Sequence, residues 1–332
     1  MKLTYSLILA AAASGYAFGA ATAYTTPVGY VGVGNTAGVA VPANTDMTFA
    51  IPLEKSAEWA GAVTSVSGNV ITFTGTTFTT DQWVSSTTPY VVKLSNGTKS
   101  GLVALITANT ATTITVAFQN SDTLTGVVAG DLIAIRKAWT LGTVFAGNTL
   151  PDYIEFHLWQ GTAVGTDNAP DGIYYCWNGG WYDSLDDSPA DSLILYPNEG
   201  FRIRNSTASG IATLTVSGEV PVANSRIQIK GGALAQDTRI SFFGAVDQPI
   251  STSGLGFANY DQLFEYSLTA TGTDNAPTGI YYLWDGGWYD SLDDSDVTAT
   301  LKLKAGVGYV YRTADGTPSG VSSHAPAYAS SL

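Results

Sequence analysis

A stretch of 24 residues occurs twice in this chain, 107 residues apart. Residues 165–188 read GTDNAPDGIYYCWNGGWYDSLDDS and residues 272–295 read GTDNAPTGIYYLWDGGWYDSLDDS. The copies differ only at Asp171/Thr278, Cys176/Leu283 and Asn178/Asp285. Near-identity over this length means that one supersecondary unit is built twice and its copies are set side by side. An enzyme needs one asymmetric constellation, whereas a duplicated unit suits binding or assembly.

Within each copy the pattern is that of a β-hairpin. Asn178-Gly179, or Asp285-Gly286, favours a type I′ turn because both residues tolerate positive φ. A two-residue loop pairs Trp177 with Gly180; a three-residue loop with a bulge sets Trp177 opposite Trp181. Both remain open at this stage. On the first strand Ile173, Tyr175 and Trp177 share one face, and Tyr174 and Cys176 the other.

Period-two segments bounded by turn residues recur elsewhere, as in NVITFT (69–74), YVVKL (90–94), TITVA (113–117) and DLIAIR (131–136). Helical periodicity is nearly absent, with short helical turns expected only over residues 56–60 and 139–145. The composition agrees: 45% of residues are apolar, 36 are Gly and only 12% are charged. Such a chain lacks the Glu, Lys and Arg that fill exposed helices. An all-β fold is expected, with an N-terminal β-barrel or sandwich over residues 24–137. Two tandem, repeated β-sandwich-like modules follow at 138–222 and 223–312, then a mobile tail at 313–332.

The formal charge of −13 argues against nucleic acid, since 14 basic residues scattered along the chain make no dense phosphate-neutralising patch. The single Cys excludes an intramolecular disulfide framework, and its alignment with Leu283 marks Cys176 as a small apolar filler. Lys2, the apolar run 7–13 and the small-x-small site Ala21-Thr22-Ala23 read as a secretory leader over residues 1–23. No later run is long enough for a membrane anchor. Export to a bacterial cell surface, extracellular space or periplasm follows.

Four segments carry a resemblance: TPVGYV (26–31), VTSVSGNVITF (63–73), AWTLGTVF (138–145) and GFRIRN (200–205). Together with two copies of a Gly-aromatic-x-x-Arg strand ending, they are similar to a family of secreted proteins of Verrucomicrobia-type bacteria. The resemblance implies a leader and a β-rich fold, and no assigned activity.

Two sets of side chains could carry chemistry. Trp177, Trp181 and Tyr182, with Trp284, Trp288 and Tyr289, either pack as core or present rings to a sugar or a protein partner. Asp167, Asn168, Asp183, Asp186 and Asp187 flank the first hairpin, and Asp274, Asn275, Asp290, Asp293 and Asp294 the second. If each hairpin brings its ends together, these oxygens could hold Ca²⁺ at an irregular surface site; otherwise they are solvated turn residues. His157 and His324 sit in no triad or metal-ligand spacing, and no nucleotide-binding or zinc-protease motif is present. The sequence therefore points to an exported, non-enzymatic protein that self-associates, as a filament or surface-layer subunit. One feature of that reading is the strand-capable segment 24–33, which either pairs with another chain or forms the first strand of its own domain. Polysaccharide binding through the duplicated aromatics is the alternative, and glycan hydrolysis by the repeated acids a weaker one.

Overall fold

The computed structural model describes residues 27–32, 41–159, 164–211 and 214–329; the leader expected over residues 1–23 lies outside them. The chain is all-β. Among the described residues helix is confined to Leu141–Val144 and the 3-10 turn Ile250–Thr252. No helix among them is long and apolar enough to cross a membrane.

Three hydrophobic cores organise the strands. Residues 57–137 form a seven-stranded sheet in the order Ala57–Ala62, Leu132–Lys137, Tyr90–Leu94, Val103–Asn109, Thr113–Ala117, Val70–Thr72, Ser65–Ser67. Its two edge strands are consecutive in the chain, so the sheet curls around its own core, but they are not paired to each other and no barrel closes. Ala57–Ala62 includes most of the segment expected to be a helical turn. Pairing with Leu132–Lys137 decides the matter: five Cα partners tie the two strands, and an exposed stretch such as AEWAGA has no apolar helical stripe to offer instead. The other expected turn is helical, with Thr140 capping Leu141–Val144.

The other two cores belong to two lobes with the same plan. The first lobe holds a five-stranded sheet ordered Gly180–Asp183, Gly172–Trp177, Glu155–Leu158, Phe201–Asn205, Thr45–Phe49. The second is ordered Gly287–Asp290, Gly279–Trp284, Gln262–Glu265, Tyr309–Arg312, Asp237–Ile240. Each lobe adds two two-stranded ribbons, and its elements follow the same sequence along the chain. The seven-stranded sheet is inserted into the first lobe after its second strand.

Two expectations are corrected here. Thr45–Phe49 does not belong with the N-terminal sheet; Met47 and Phe49 are buried against Phe201 and Ile203 of the first lobe. Nor is the tail free, because Gly320–His324 pairs with Ser225–Ile229. Val28–Gly32, inside the segment left open between another chain and its own domain, pairs with Thr215–Glu219 of its own chain. These partners lie far away in sequence, where local pattern carries no information.

The lobes exchange equivalent contacts. The Ser241 amide donates to Asn198 O at 2.9 Å, and the Ala50 amide to Gly306 O at 3.0 Å. Gly200 and Gly308, equivalent residues 108 apart, face each other so closely that a Cβ on Gly308 would lie 3.0 Å from the Gly200 Cα and 3.0 Å from Phe49 O. Reciprocal use of matching surfaces is the mark of a twofold contact, here built inside one chain. It fixes the orientation of the two hairpins relative to each other.

Candidate functional site

The duplicated hairpins sit on the outer edges of the two lobe sheets. Asn178 and Gly179 have φ of 50° and 80°, and Asp285 and Gly286 of 48° and 80°. Trp177 pairs with Gly180 and Trp284 with Gly287, so the loop is the two-residue one. Strand alternation then separates the aromatics. Cys176 and Trp181 face the first core, as Leu283 and Trp288 face the second. Trp181 is 2% exposed and packs against Phe145 with tilted rings, their centroids 5.1 Å apart; Trp288 is equally buried. These two indoles are core and present no ring to a ligand. Cys176 is buried too, and burial pushes its thiol above its ordinary value.

The opposite face is different. Trp177 is 44% exposed and Trp284 43%. Tyr175 stacks on Tyr182 with ring centroids 5.7 Å apart, and Tyr282 on Tyr289 at the same distance. A fourth ring completes each set. Tyr153 lies 4.9 Å from Trp177, and Tyr260 5.0 Å from Trp284, both at an interplanar angle of 47°. Both tyrosines are 60% exposed and hold positive φ, 65° and 72°. A bulky side chain in that region costs on the order of 1–3 kcal/mol. The strain is held by the amide of each tyrosine, which donates to the carbonyl of Cys176 or Leu283 at 2.7 Å. The preceding residue helps: Asp152 Oδ1 and Asn259 Oδ1 accept from the amides of Asn178 and Asp285.

In the first lobe these rings border a groove of about 450 Å³ lined by Tyr153, Glu155, Tyr175, Trp177, Ser184 and Asp187. Five of the six recur in the second lobe as Tyr260, Tyr282, Trp284, Ser291 and Asp294; Gln262 replaces Glu155. Glu155 is itself engaged, since its Oε2 meets His157 Nε2 at 2.8 Å while Arg202 donates to His157 Nδ1 at 2.8 Å. Burial depresses the His157 imidazole below its usual value, and with Nδ1 accepting, the ring is a neutral, clamped core group.

Most of the acids are taken up by hydrogen bonds within the protein. Asp183 and Asp290 accept from the amides of Leu185 and Leu292, and Asp186 and Asp293 from those of Ser188 and Ser295. These are Asx-turns that shape the loop. Asp187 accepts the Tyr175 hydroxyl at 2.8 Å, as Asp294 accepts that of Tyr282 at 2.9 Å. That bond raises each phenol above its ordinary value and fixes each ring. Asp167 and Asp274 point away altogether. Asp167 accepts from Arg312 Nη2 at 2.8 Å in the second lobe, and Asp274 from Arg204 Nη2 at 2.5 Å in the first. Each arginine also holds a strand-borne acid, Asp237 or Asp46. Asn168 and Asn275 donate to the carbonyls of Gly165 and Gly272, closing their own loops. Among the described residues no three His, Cys, Asp or Glu side chains converge as metal ligands. The duplicated GTDNAP segments thus work as cross-braces between lobes.

Sequence reasoning missed Tyr153 and Tyr260. Their one signal was identity at the same 107-residue offset, set in flanks (PDYIEF against ANYDQL) that share nothing else. No family model, curated protein or solved structure matches this chain.

Proposed function

We propose that the protein binds carbohydrate at two equivalent aromatic platforms, one on each lobe. The observation that carries this reading is the pairing of exposed Trp177 with Tyr153, reproduced by Trp284 and Tyr260 at nearly the same distance and angle. Positions that merely fill surface need not hold a tyrosine at positive φ twice. Flat rings match the C–H faces of pyranose sugars, and each platform has carboxylate and hydroxyl oxygens at its border to meet sugar hydroxyls. Asp187 and Asp294, together with a formal charge of −13, disfavour uronate or sulfated polymers. Neutral polysaccharides with equatorial hydroxyls are the fitting class. The secretory leader read at the N-terminus agrees with a ligand met outside the cytoplasm.

Electrophoresis through gels containing mixed-linkage glucan, xylan or alginate tests the reading. Retardation by a neutral polymer, none by alginate, and loss of retardation in the Trp177→Ala/Trp284→Ala double variant are expected. Free migration of the wild type in both neutral polymers would remove the basis for it.

A further inference from the structure

A cleft of about 580 Å³ lies where the seven-stranded sheet and the two lobes meet, away from both aromatic platforms. Lys99, Arg226, Lys230 and Arg239 line it, which is four of the 14 basic residues of a strongly acidic chain. Two acids face them. Asp122 is already shared between Lys99 at 2.6 Å and Arg226 at 2.8 Å. Glu199 is kept protonated by burial, which pushes it up to about 8. Lys99 and Arg226 thus share a single carboxylate, and Glu199 brings no negative charge to the cleft near neutral pH.

The Arg239 guanidinium lies 4.3 Å over the Trp159 ring, and burial depresses its pKa. Among the described residues no Asp or Glu makes an ion pair with it, although the other three arginines of the lobe contact region, Arg202, Arg204 and Arg312, each hold two acids. The shared lobe plan does not require this residue: Thr48 occupies the equivalent place in the first lobe, opposite Arg202 as Arg239 is opposite Val310. Tyr266 hydrogen-bonds Arg239 and Asp237 attracts it at longer range, but neither forms an ion pair with it, and a bound anion would supply one. The planar fork, steadied against an indole, is suited to the two oxygens of a carboxylate or phosphate.

We propose that this cleft binds the oxyanion group of a small molecule, a carboxylate or a phosphate, with Arg239 as its principal partner and Trp159 as the wall behind it. The volume accommodates a molecule of sugar-acid size. The site is independent of the platforms and of the function proposed for them.

Calorimetry on the full chain at low ionic strength, with sodium glucuronate, inorganic phosphate and glucose as probes, tests the assignment. Saturable binding of at least one anion and none of glucose is expected; which anion binds identifies the source of the oxyanion. Arg239→Met keeps an apolar stem over Trp159 and should lose tenfold or more in affinity, as expected for a charge-assisted hydrogen bond. Arg239→Lys should retain part of the affinity. In anion-free buffer Arg239→Met should melt close to the wild type, because no ion pair is lost. Absence of binding by both anions, or undiminished affinity in Arg239→Met, would overturn the proposal. So would a much lower melting point of that variant in anion-free buffer, which would mean that the protein already compensates Arg239.

Discussion

Replacing Glu199 with Gln should change how stability depends on pH. Burial drives the Glu199 carboxyl from an ordinary 4.5 up to about 8, against the smaller opposing pulls of Gln119, the Tyr196 backbone and Lys230. Its Oε2 is shut off from solvent and makes no hydrogen bond. Between those two values the unfolded chain has released this proton and the folded chain retains it. The folded state then binds more protons, so stability is undiminished below pH 4.5 and falls as pH rises, until the folded carboxyl ionises near pH 8. The slope is about 1.4 kcal/mol per pH unit, so the whole window costs on the order of 5 kcal/mol. Glu199→Gln has the same shape and no titration. Urea unfolding at intervals from pH 5 to pH 9 should give a difference between variant and wild type that grows across the window and then levels off. A constant difference from pH 5 to pH 9 would refute the argument, since it would place Glu199 in contact with water or a counter-charge.

Gly308→Ala should destabilise the chain by roughly 1–3 kcal/mol, the usual cost of overpacking, because its Cβ has no room beside Gly200 and Phe49; chemical denaturation reads this directly. Trp181→Ala should cost about 3–5 kcal/mol through the cavity it leaves, whereas Trp177→Ala, on the exposed face, should cost about 0.5 kcal/mol or less. Equal losses would contradict the assignment of one indole to the core and the other to the platform. Asp46→Ala should cost about 1.5–3 kcal/mol, the range for charge-assisted hydrogen bonds. Although burial opposes it, Arg204, the Asp274 amide and Arg202 hold Asp46 below its ordinary 3.8. Wild-type stability from this group is therefore present above pH 3.8 and lost as pH falls through the lower folded value, which acid titration of the two proteins should show.

Much of the architecture was legible because β-structure writes itself in alternation. The period-two segments at 90–94, 113–117 and 131–136 are strands or lie largely within them. The same alternation, once the turn length is fixed, sends Trp181 inward and Trp177 outward. Long-range pairing left no such trace. Thr45–Phe49 looks as suited to the N-terminal sheet as to the first lobe, and only its burial against Phe201 and Ile203 decides. The braces between the lobes were hidden for a related reason. Asp167 and Asp274 have partners 145 and 70 residues away, so the local sequence carries no sign that they tie one lobe to the other. Tyr153 and Tyr260 escaped notice because positive φ in a tyrosine opposes propensity. Local rules fail where tertiary contacts hold a strained residue in place, and those residues border the proposed sites.

The number of sugar sites per chain is the most direct test of the account. Calorimetric titration with cellohexaose and xylohexaose should give two sites of similar affinity in the wild type for the oligosaccharide that binds. Trp177→Ala and Trp284→Ala should each reduce this to one, and the double variant to none. A single site in the wild type, or two sites surviving in either single variant, would contradict the claim that the duplicated hairpins carry equivalent binding platforms.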